Sequence, residues 1–309
     1  MDSDTHSLVA TLQVVAYVKA AFLTLLVYDT LLHFGQEYRY VWKSRWSIIN
    51  FLYLWTRYST FIDSIVAVQG RVLSAQVSDS NSSLSSTERL DIHRDAEECS
   101  RVMTFTTIFA GFGIGVSEII LMIRTYALYE RSQKLLAAFV VLWFSVSSVN
   151  LWAVLKWTRS FKTEASPSPV SACFLGNSNK IGLVCYASLL ASETLIVLLT
   201  LWKPIQECTS LHSELVSTFY RDGVLFYLAI LPFSIANVVL LFLAPPGLNL
   251  LADTPLRVMH SILCCRLVTH IRSVMSREET HTMHVASAIV FATNSVVDDG
   301  SASGHYVRV

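Results

Sequence analysis

The sequence is short of charge. Only 15% of its 309 residues are Asp, Glu, Lys or Arg, whereas about a quarter is usual in soluble proteins. Basic and acidic residues are equal in number, 23 of each, so the chain lacks the positive charge that attracts nucleic acids. The composition excludes a disordered chain and a small disulfide scaffold, and we expect no nucleic-acid partner.

The residues that membrane enzymes and pumps need are also scarce. Of nine histidines, only His260 and His270 fall in or beside a predicted span, and the rest fall in predicted loops or tails. That distribution cannot build a three-histidine metal site in the membrane. No Gly-x-Ser-x-Gly or His-Glu-x-x-His motif is present. The absence of lysine after Lys203 excludes a retinal Schiff base in the last helix. We therefore expect no catalysis, no metal and no cofactor.

The chain is instead rich in long apolar runs. Hydrophobic residues make up 53% of the chain and the mean hydropathy is +0.48. A bilayer core about 30 Å thick needs about 20 helical residues, and six stretches qualify: 9–32, 46–68, 102–124, 135–157, 181–202 and 224–243. A seventh, 248–270, is interrupted by Asp253, Pro255, Arg257 and His260, so it either spans or lies as an amphipathic helix at the interface. We predict an all-α, polytopic membrane bundle of seven transmembrane helices, with the lipid bilayer as its first partner.

The flanking charges predict the orientation. Basic residues concentrate in the connections 33–46, 125–134 and 203–223 and after residue 266, which places these on the cytosolic side. We predict an extracellular tail at 1–8, a membrane domain at 9–270 with a long disordered loop at 69–101, and a cytosolic disordered tail at 271–309. The chain is expected in the plasma membrane or an endomembrane, with the N-terminus outside.

Three residues on the predicted outer side agree with this orientation. Asn81-Ser82-Ser83 is a glycosylation sequon, although such triplets also occur by chance. Cys99 and Cys173 both precede spans on the oxidising face, where a disulfide between them is geometrically reasonable.

Six ionisable residues fall at membrane depth, where each is costly unless it is paired, solvated or snorkelling. They are Lys19, Arg57, Asp63, Glu118, Glu193 and Arg257. On one interpretation, Lys19, Arg57, Asp63, Glu193 and Arg257 line an outward-opening pocket for a small anionic or strongly hydrogen-bonding ligand. On the other, Glu193 pairs with Arg57, while Lys19 and Arg257 snorkel or meet backbone carbonyls. Arg57 and Asp63 are six residues apart, which predicts that they do not pair with each other.

Several short motifs occur along the apolar part of the chain and its connections. They are Tyr28-Asp29, Glu37, the run from Val41 to Trp46, Arg57-Tyr58 and Asp63, followed by Arg124 to Tyr129, Arg221-Asp222-Gly223, and Ser261 to Leu263 with Arg266-Leu267. In these residues the chain resembles a fungal integral-membrane family, domain of unknown function 6533. The resemblance implies seven spans and an external N-terminus. It implies no activity, and the connection 69–101 is longer than such proteins lead us to expect.

These features favour a receptor-like or sensor-like protein that binds a small ligand outside and a signalling protein in the cytosol. Glu118, Arg124 and Tyr126 are predicted on the cytosolic face of helix three, in loose similarity to G-protein-coupled receptors, but Ile123 stands where those receptors have an acidic residue. Fold-level analogy is a weak warrant. A transporter or channel component that uses the midplane charges, and a structural membrane protein without a ligand, stay open as alternatives.

Overall fold

Long helices make up nearly all of the computed structural model, which describes residues 3–79, 86–159, 181–207, 214–244, 248 and 251–276. They are α1 (Ser3–Glu37), which continues into a π-helical turn (Tyr38–Trp42), α2 (Ile48–Asp79), α3 (Ser86–Leu128), α4 (Gln133–Arg159), α5 (Ile181–Glu207), α6 (Glu214–Leu243) and α7 (253–276). No strand occurs in this part of the chain. The all-α prediction is confirmed.

Several helices are long and apolar enough to cross a bilayer. Four qualify by length and composition within the described residues: Gln13–Trp42, Thr104–Leu128, Gln133–Lys156 and Ile181–Lys203. A shorter apolar segment, Leu228–Leu243, lies in α6, where Pro232 is accommodated inside the helix. The chain is therefore a multi-pass membrane protein. The number of crossings, seven, stays a prediction.

Consecutive helices pack against each other along the bundle. α1 contacts α2, α2 contacts α3, and the series continues through α4 and α5 to α6, while α3 also contacts α5. The main apolar core joins side chains from several helices, including Tyr53, Leu121, Ile196, Ile230 and Leu267. Of the four candidate spans, α4 is the least buried by the rest of the bundle: only 11% of its most apolar stretch is buried, so most of its surface is available to lipid.

α7 lies in the interior of the bundle although it is the most interrupted of the apolar segments. Leu256, Val258, His260, Ser261 and Cys264 are each 0% exposed. An amphipathic helix at the interface would leave one face open to water or headgroups, so this interpretation of residues 248–270 does not fit the structure. The polar residues of α7 instead contact neighbouring helices.

The helices extend further than hydropathy predicts. α2 runs to Asp79 and α3 begins at Ser86, so the predicted disordered loop 69–101 is largely helical, and only 80–85 lie outside the described residues. The physical reason is that a helix need not stop at the edge of an apolar run when no proline interrupts it. For the same reason residues 3–8 of the predicted tail belong to α1, and 271–276 belong to α7. His6, His33 and His93, predicted in loops or tails, consequently lie on helices.

Candidate functional site

The polar side chains of α7 contact different helices at successive levels. Arg257 contacts α2, His260 contacts α5, and Arg266 contacts α1. Between them, the Ser261 hydroxyl donates to the Thr56 carbonyl on α2 at 3.0 Å. The buried ionisable groups of the protein are therefore assembled around one central helix.

Arg57 on α2 is the largest fully buried side chain of the described residues. Its Nε atom lies 3.1 Å from Glu37 Oε2, and its Nη2 atom lies 3.6 Å from Asp29 Oδ2, both on α1. Its Nη1 atom donates to the Tyr53 hydroxyl, one helical turn earlier, at 3.3 Å. One guanidinium thus faces two carboxylates that are themselves almost completely buried.

Glu37 is held by neutral donors as well as by Arg57. Its Oε1 atom accepts hydrogen bonds from Trp42 Nε1 at 3.1 Å and from the Tyr58 hydroxyl at 2.9 Å. The hydrogen bond from Trp42 spans the π-helical turn Tyr38–Trp42, which follows Glu37 directly. Single π turns are rare in proteins, and many of those that occur lie at functional sites. Here the wider turn places an indole N–H on the buried carboxylate.

Asp29 links this cluster to α7. Its Oδ1 atom accepts from Nε and Nη2 of Arg266, each at 2.7 Å. His33, one turn later on α1, has Nδ1 3.4 Å from the same oxygen. We call Asp29, Glu37, Arg57 and Arg266 the inner ion-pair network. It ties α1, α2 and α7 together.

A second ion pair joins α2 and α7. Arg257 donates from Nε to Asp63 Oδ2 at 2.9 Å and from Nη2 to the Ser59 hydroxyl at 2.6 Å. The guanidinium lies against Gly113 of α3, where an added Cβ would overlap it. A cation thus occupies the space left by the missing side chain. Of the closely spaced glycines of α3, Gly113 is the one that permits this approach, since Gly111 has nothing within 4 Å of the Cβ position.

A third polar group joins α3, α5 and α7. His260 Nε2 lies 2.6 Å from Glu193 Oε1, and both side chains are buried. The Oγ atom of the neighbouring Ser192 lies 2.5 Å from Glu118 Oε1. One turn along α7, the Cys264 thiol contacts the carbonyl of Ser117, the residue before Glu118. We call Glu118, Ser192, Glu193 and His260 the acid–histidine layer.

The end of α7 is fixed to the first connection. Arg272 donates to the Tyr40 carbonyl at 2.6 Å, to the Ser44 and Ser47 hydroxyls at 3.1 and 3.2 Å, and to the side-chain oxygen of Asn50. Desolvation by burial lowers the pKa of the Arg272 guanidinium below its ordinary value, but arginine stays protonated at neutral pH. The cation therefore closes the turn between α1 and α2.

The structure corrects the predicted pairing of the midplane charges. The predicted pair between Glu193 and Arg57 is wrong, since Arg57 pairs with Glu37 and Asp29 while Glu193 pairs with His260. Arg257 neither snorkels nor meets backbone carbonyls, because Asp63 binds it. Arg57 and Asp63 are indeed not paired with each other, as their spacing predicted.

The single predicted ligand pocket is divided among separate contacts. Arg57, Arg257 and Glu193 belong to three different groups, and Lys19 is buried on α1. The span ends predict the depth of each residue but not the side of the helix that it occupies, so residues at one depth were predicted to share one pocket. Asp29 and Glu37 neutralise Arg57, and Asp63 neutralises Arg257.

Glu37 was missed as a partner of Arg57 because the predicted first span ended at residue 32. Residue 37 consequently fell in the predicted connection 33–46. Instead, α1 continues to Glu37 and the π turn follows it directly. The Glu37 carboxylate consequently contacts Arg57 of α2. A signal was present in the sequence: Asp29, Glu37 and Arg57-Tyr58 are among the residues that carry the family resemblance, and all of them contribute to one network.

The three residues singled out on helix three pack against the bundle, and their position on the cytosolic side stays a prediction. Glu118 is 4% exposed and contacts Ser192 of α5. Tyr126 packs against the main core, and Arg124 is half-buried. The Tyr129 hydroxyl, nearer the end of α3, donates to the Leu199 carbonyl at 2.8 Å. The end of α3 is thus tied to α5.

Other predicted sites fall outside the described residues. Asn81 and Cys173 lie there, as does the side chain of Cys99, so glycosylation and the disulfide stay predictions. Within the described part of the chain, no three His, Cys, Asp or Glu side chains are grouped so that they could hold a metal ion. Cys264 and Cys265 are buried thiols rather than exposed acylation sites.

Comparison with known proteins identifies one family. Residues 17–62 match the model described as a family of unknown function (DUF6533). The matched segment contains Asp29, Glu37 and Arg57, three members of the inner ion-pair network. The resemblance expected from the sequence is confirmed over this segment, and a fungal origin stays a prediction. No curated protein and no solved structure matches the chain.

Proposed function

We propose that this chain, whose residues 17–62 match the family of unknown function DUF6533, is a seven-helix, receptor-like or sensor-like membrane protein without catalytic activity. In this proposal α2, α6 and α7 cross the bilayer together with the four helices that qualify by hydropathy. The N-terminus lies outside, in the plasma membrane or an endomembrane. A small ligand acts from the outer side, and a cytosolic signalling protein reads the inner side.

The observation that supports a sensor is the arrangement of ion pairs along α7. Arg257, His260 and Arg266 each pair with a different helix, α2, α5 and α1 respectively. Buried pairs of this kind contribute little net stability compared with apolar packing, but each has discrete made and broken states. A helix whose position depends on several such pairs is the kind of two-state element that a ligand can bias.

A transporter is the second candidate because buried ionisable residues also mark solute and proton paths. Here the charged groups are compensated within the bundle rather than arranged along one route, and Glu193 is closed off by His260. A structural membrane protein without a ligand would hold these same pairs in one state only. A sensor would therefore move its helices between two arrangements, a transporter would move a solute across the membrane, and a structural protein would do neither.

The first experiment tests the topology. Tags at the two chain ends, probed with protease in sealed vesicles, are expected to become accessible from opposite sides. Cysteine accessibility at Arg131→Cys, in the α3–α4 turn, and at Met275→Cys, near the end of α7, should place both on the cytosolic side. Two ends accessible from the same face would contradict seven crossings.

The second experiment separates sensor, scaffold and transporter. Spin labels at Arg131→Cys and Met275→Cys, in full-length protein in nanodiscs, report the distance between the ends of α3 and α7. A sensor should show two distance populations whose ratio changes in Asp63→Asn, which weakens the α2–α7 pair. One unchanged distance in both proteins would indicate a scaffold. Uptake of small anions into vesicles that is abolished by Glu193→Gln would favour a transporter instead.

A further inference from the structure

The acid–histidine layer brings two carboxyl groups and one imidazole into the buried interior. Glu118, Glu193 and His260 are 4%, 3% and 0% exposed. They are connected through adjacent residues of α5, because Ser192 contacts Glu118 and Glu193 contacts His260. The Cys264 contact with Ser117 closes the same layer on the α3 side.

The charges in this layer do not balance without protons. Glu193 lies within ion-pair distance of His260, so a protonated imidazole can neutralise it. Glu118 contacts only a neutral hydroxyl, that of Ser192, and the described part of the chain gives it no ion pair. An ionised Glu118 would be a second buried negative charge beside Glu193 with no cation of its own. Isolated buried charges are so costly that the group takes up a proton instead.

The neighbouring cations are already engaged. Arg257, one turn before His260 on α7, is bound by Asp63 and Ser59 of α2. The other titratable group of α7 at this level is the Cys264 thiol, which is fully buried and brings no positive charge. The groups that face the layer are thus Glu118 from α3, Glu193 from α5, and Arg257, His260 and Cys264 from α7, with Asp63 of α2 beyond Arg257.

We propose that Glu118 is a proton-binding site in the bundle interior, occupied by a proton at neutral pH and coupled to the Glu193–His260 pair. Ser192 Oγ lies 2.5 Å from Glu118 Oε1 and 2.8 Å from the Leu189 carbonyl, and the hydroxyl has only one proton to donate. Since the Leu189 carbonyl can only accept, a protonated Glu118 that donates to Ser192 satisfies both contacts. Release of this proton leaves carboxylates on both α3 and α5 beside a single imidazole, and repulsion then separates the helices. The inference goes beyond the proposed function and does not require it, since a receptor, a transporter or a scaffold can each bind a proton here.

Infrared spectroscopy of the full chain in nanodiscs tests the proposal directly. The wild-type protein at neutral pH should show the carbonyl stretch of a protonated carboxyl group. Glu118→Gln should remove this band, whereas Glu130→Gln, which makes the same change at an exposed carboxylate in the α3–α4 turn, should leave it intact. Ser192→Ala should shift the band to higher frequency because the carboxyl group loses its hydrogen bond to Ser192.

The outcomes divide clearly. Absence of the band in the wild-type protein overturns the proposal without reference to any variant, so a misfolded variant cannot obscure the result. A band that survives Glu118→Gln, or that does not shift in Ser192→Ala, assigns the proton to another group and also overturns it. As a second measurement, thermal stability of the wild-type protein should fall as the pH rises from acidic values to the pH at which folded Glu118 releases its proton, because the unfolded chain releases it at a lower pH. Glu118→Gln should lessen this fall. An identical fall in both proteins contradicts the proposal.

Discussion

Arg266 and Asp29 lie 237 positions apart in the chain and are joined by two donor atoms, each 2.7 Å from the same carboxylate oxygen. Because the other oxygen of Asp29 faces Arg57 at 3.6 Å, one carboxylate connects α7 with α2. Asp29 belongs to the segment 17–62 that defines the family match. That segment therefore acts as a connector between the start of the bundle and its central helix.

Asp29→Asn should destabilise the protein by about 1–3 kcal/mol, because it removes charged hydrogen bonds from a buried site. Arg266→Ala should cost less, since the Arg266 side chain is 41% exposed and its pairing is weakened by solvent. Thermal unfolding in nanodiscs provides the measurement. Equal losses for the two variants would contradict this, because they would show that Asp29 acts mainly through Arg266 and gains little from Arg57.

Arg57→Leu should destabilise the protein by about 3–5 kcal/mol, because removing one partner leaves buried charges uncompensated. The two carboxylates left behind are Asp29 and Glu37. Surface expression should fall together with stability. Arg39→Leu is the matched control: it removes an exposed cation from the neighbouring π turn and should change stability by less than about 0.5 kcal/mol. Normal stability in Arg57→Leu would contradict a structural role for the network.

Gly113→Ala should destabilise the bundle by about 1–3 kcal/mol, the usual cost of inserting a methyl group into a packed interior. The added Cβ overlaps the Arg257 guanidinium and displaces it from Asp63 and Ser59. The matched substitution Gly111→Ala meets nothing within 4 Å and should stabilise α3 by up to about 1 kcal/mol. Opposite signs for two alanines two residues apart are the expected result in unfolding experiments. A loss at Gly111 as large as that at Gly113 would refute the close approach of Arg257.

Cys264 and Cys265 should resist thiol reagents in the folded protein. Both are buried, whereas Cys185 on α5 is half-buried. A variant that keeps only Cys264 and Cys265 should be labelled by maleimide only after unfolding, and it should not incorporate palmitate in cells. A variant that keeps only Cys185 should react sooner. Rapid labelling of the Cys264 and Cys265 variant before unfolding would place α7 nearer the surface than the structure does.

Hydropathy predicted the helical class well because the free energy of burying apolar surface depends on composition along the chain. It predicted the partners of charged residues poorly because those depend on which side of each helix a residue occupies. Glu193 shows this: its depth matched that of Arg57, but its side chain meets His260 across the α5–α7 interface. Glu37 shows a second limit, since no apolar run indicates that a helix continues past its hydrophobic end into a π turn.

The family resemblance supplied what hydropathy could not. The resemblance rests in part on Asp29, Glu37, Arg57 and Tyr58. The sequence does not indicate that these residues contact each other. In the structure Glu37 meets both Arg57 and Tyr58, and Asp29 meets Arg57. Charged residues within an otherwise apolar segment are thus the best indication in the sequence of the inner ion-pair network.

The buried position of α7 has a consequence for how the protein is made. With Asp253, Arg257, His260 and Arg266 along it, this helix is a poor substrate for the translocon when it emerges alone. Its carboxylate partners lie on α1, α2 and α5, all of which are synthesised earlier. We therefore expect nascent α7 to enter the membrane late, after the preceding helices present Asp29, Asp63 and Glu193 as partners.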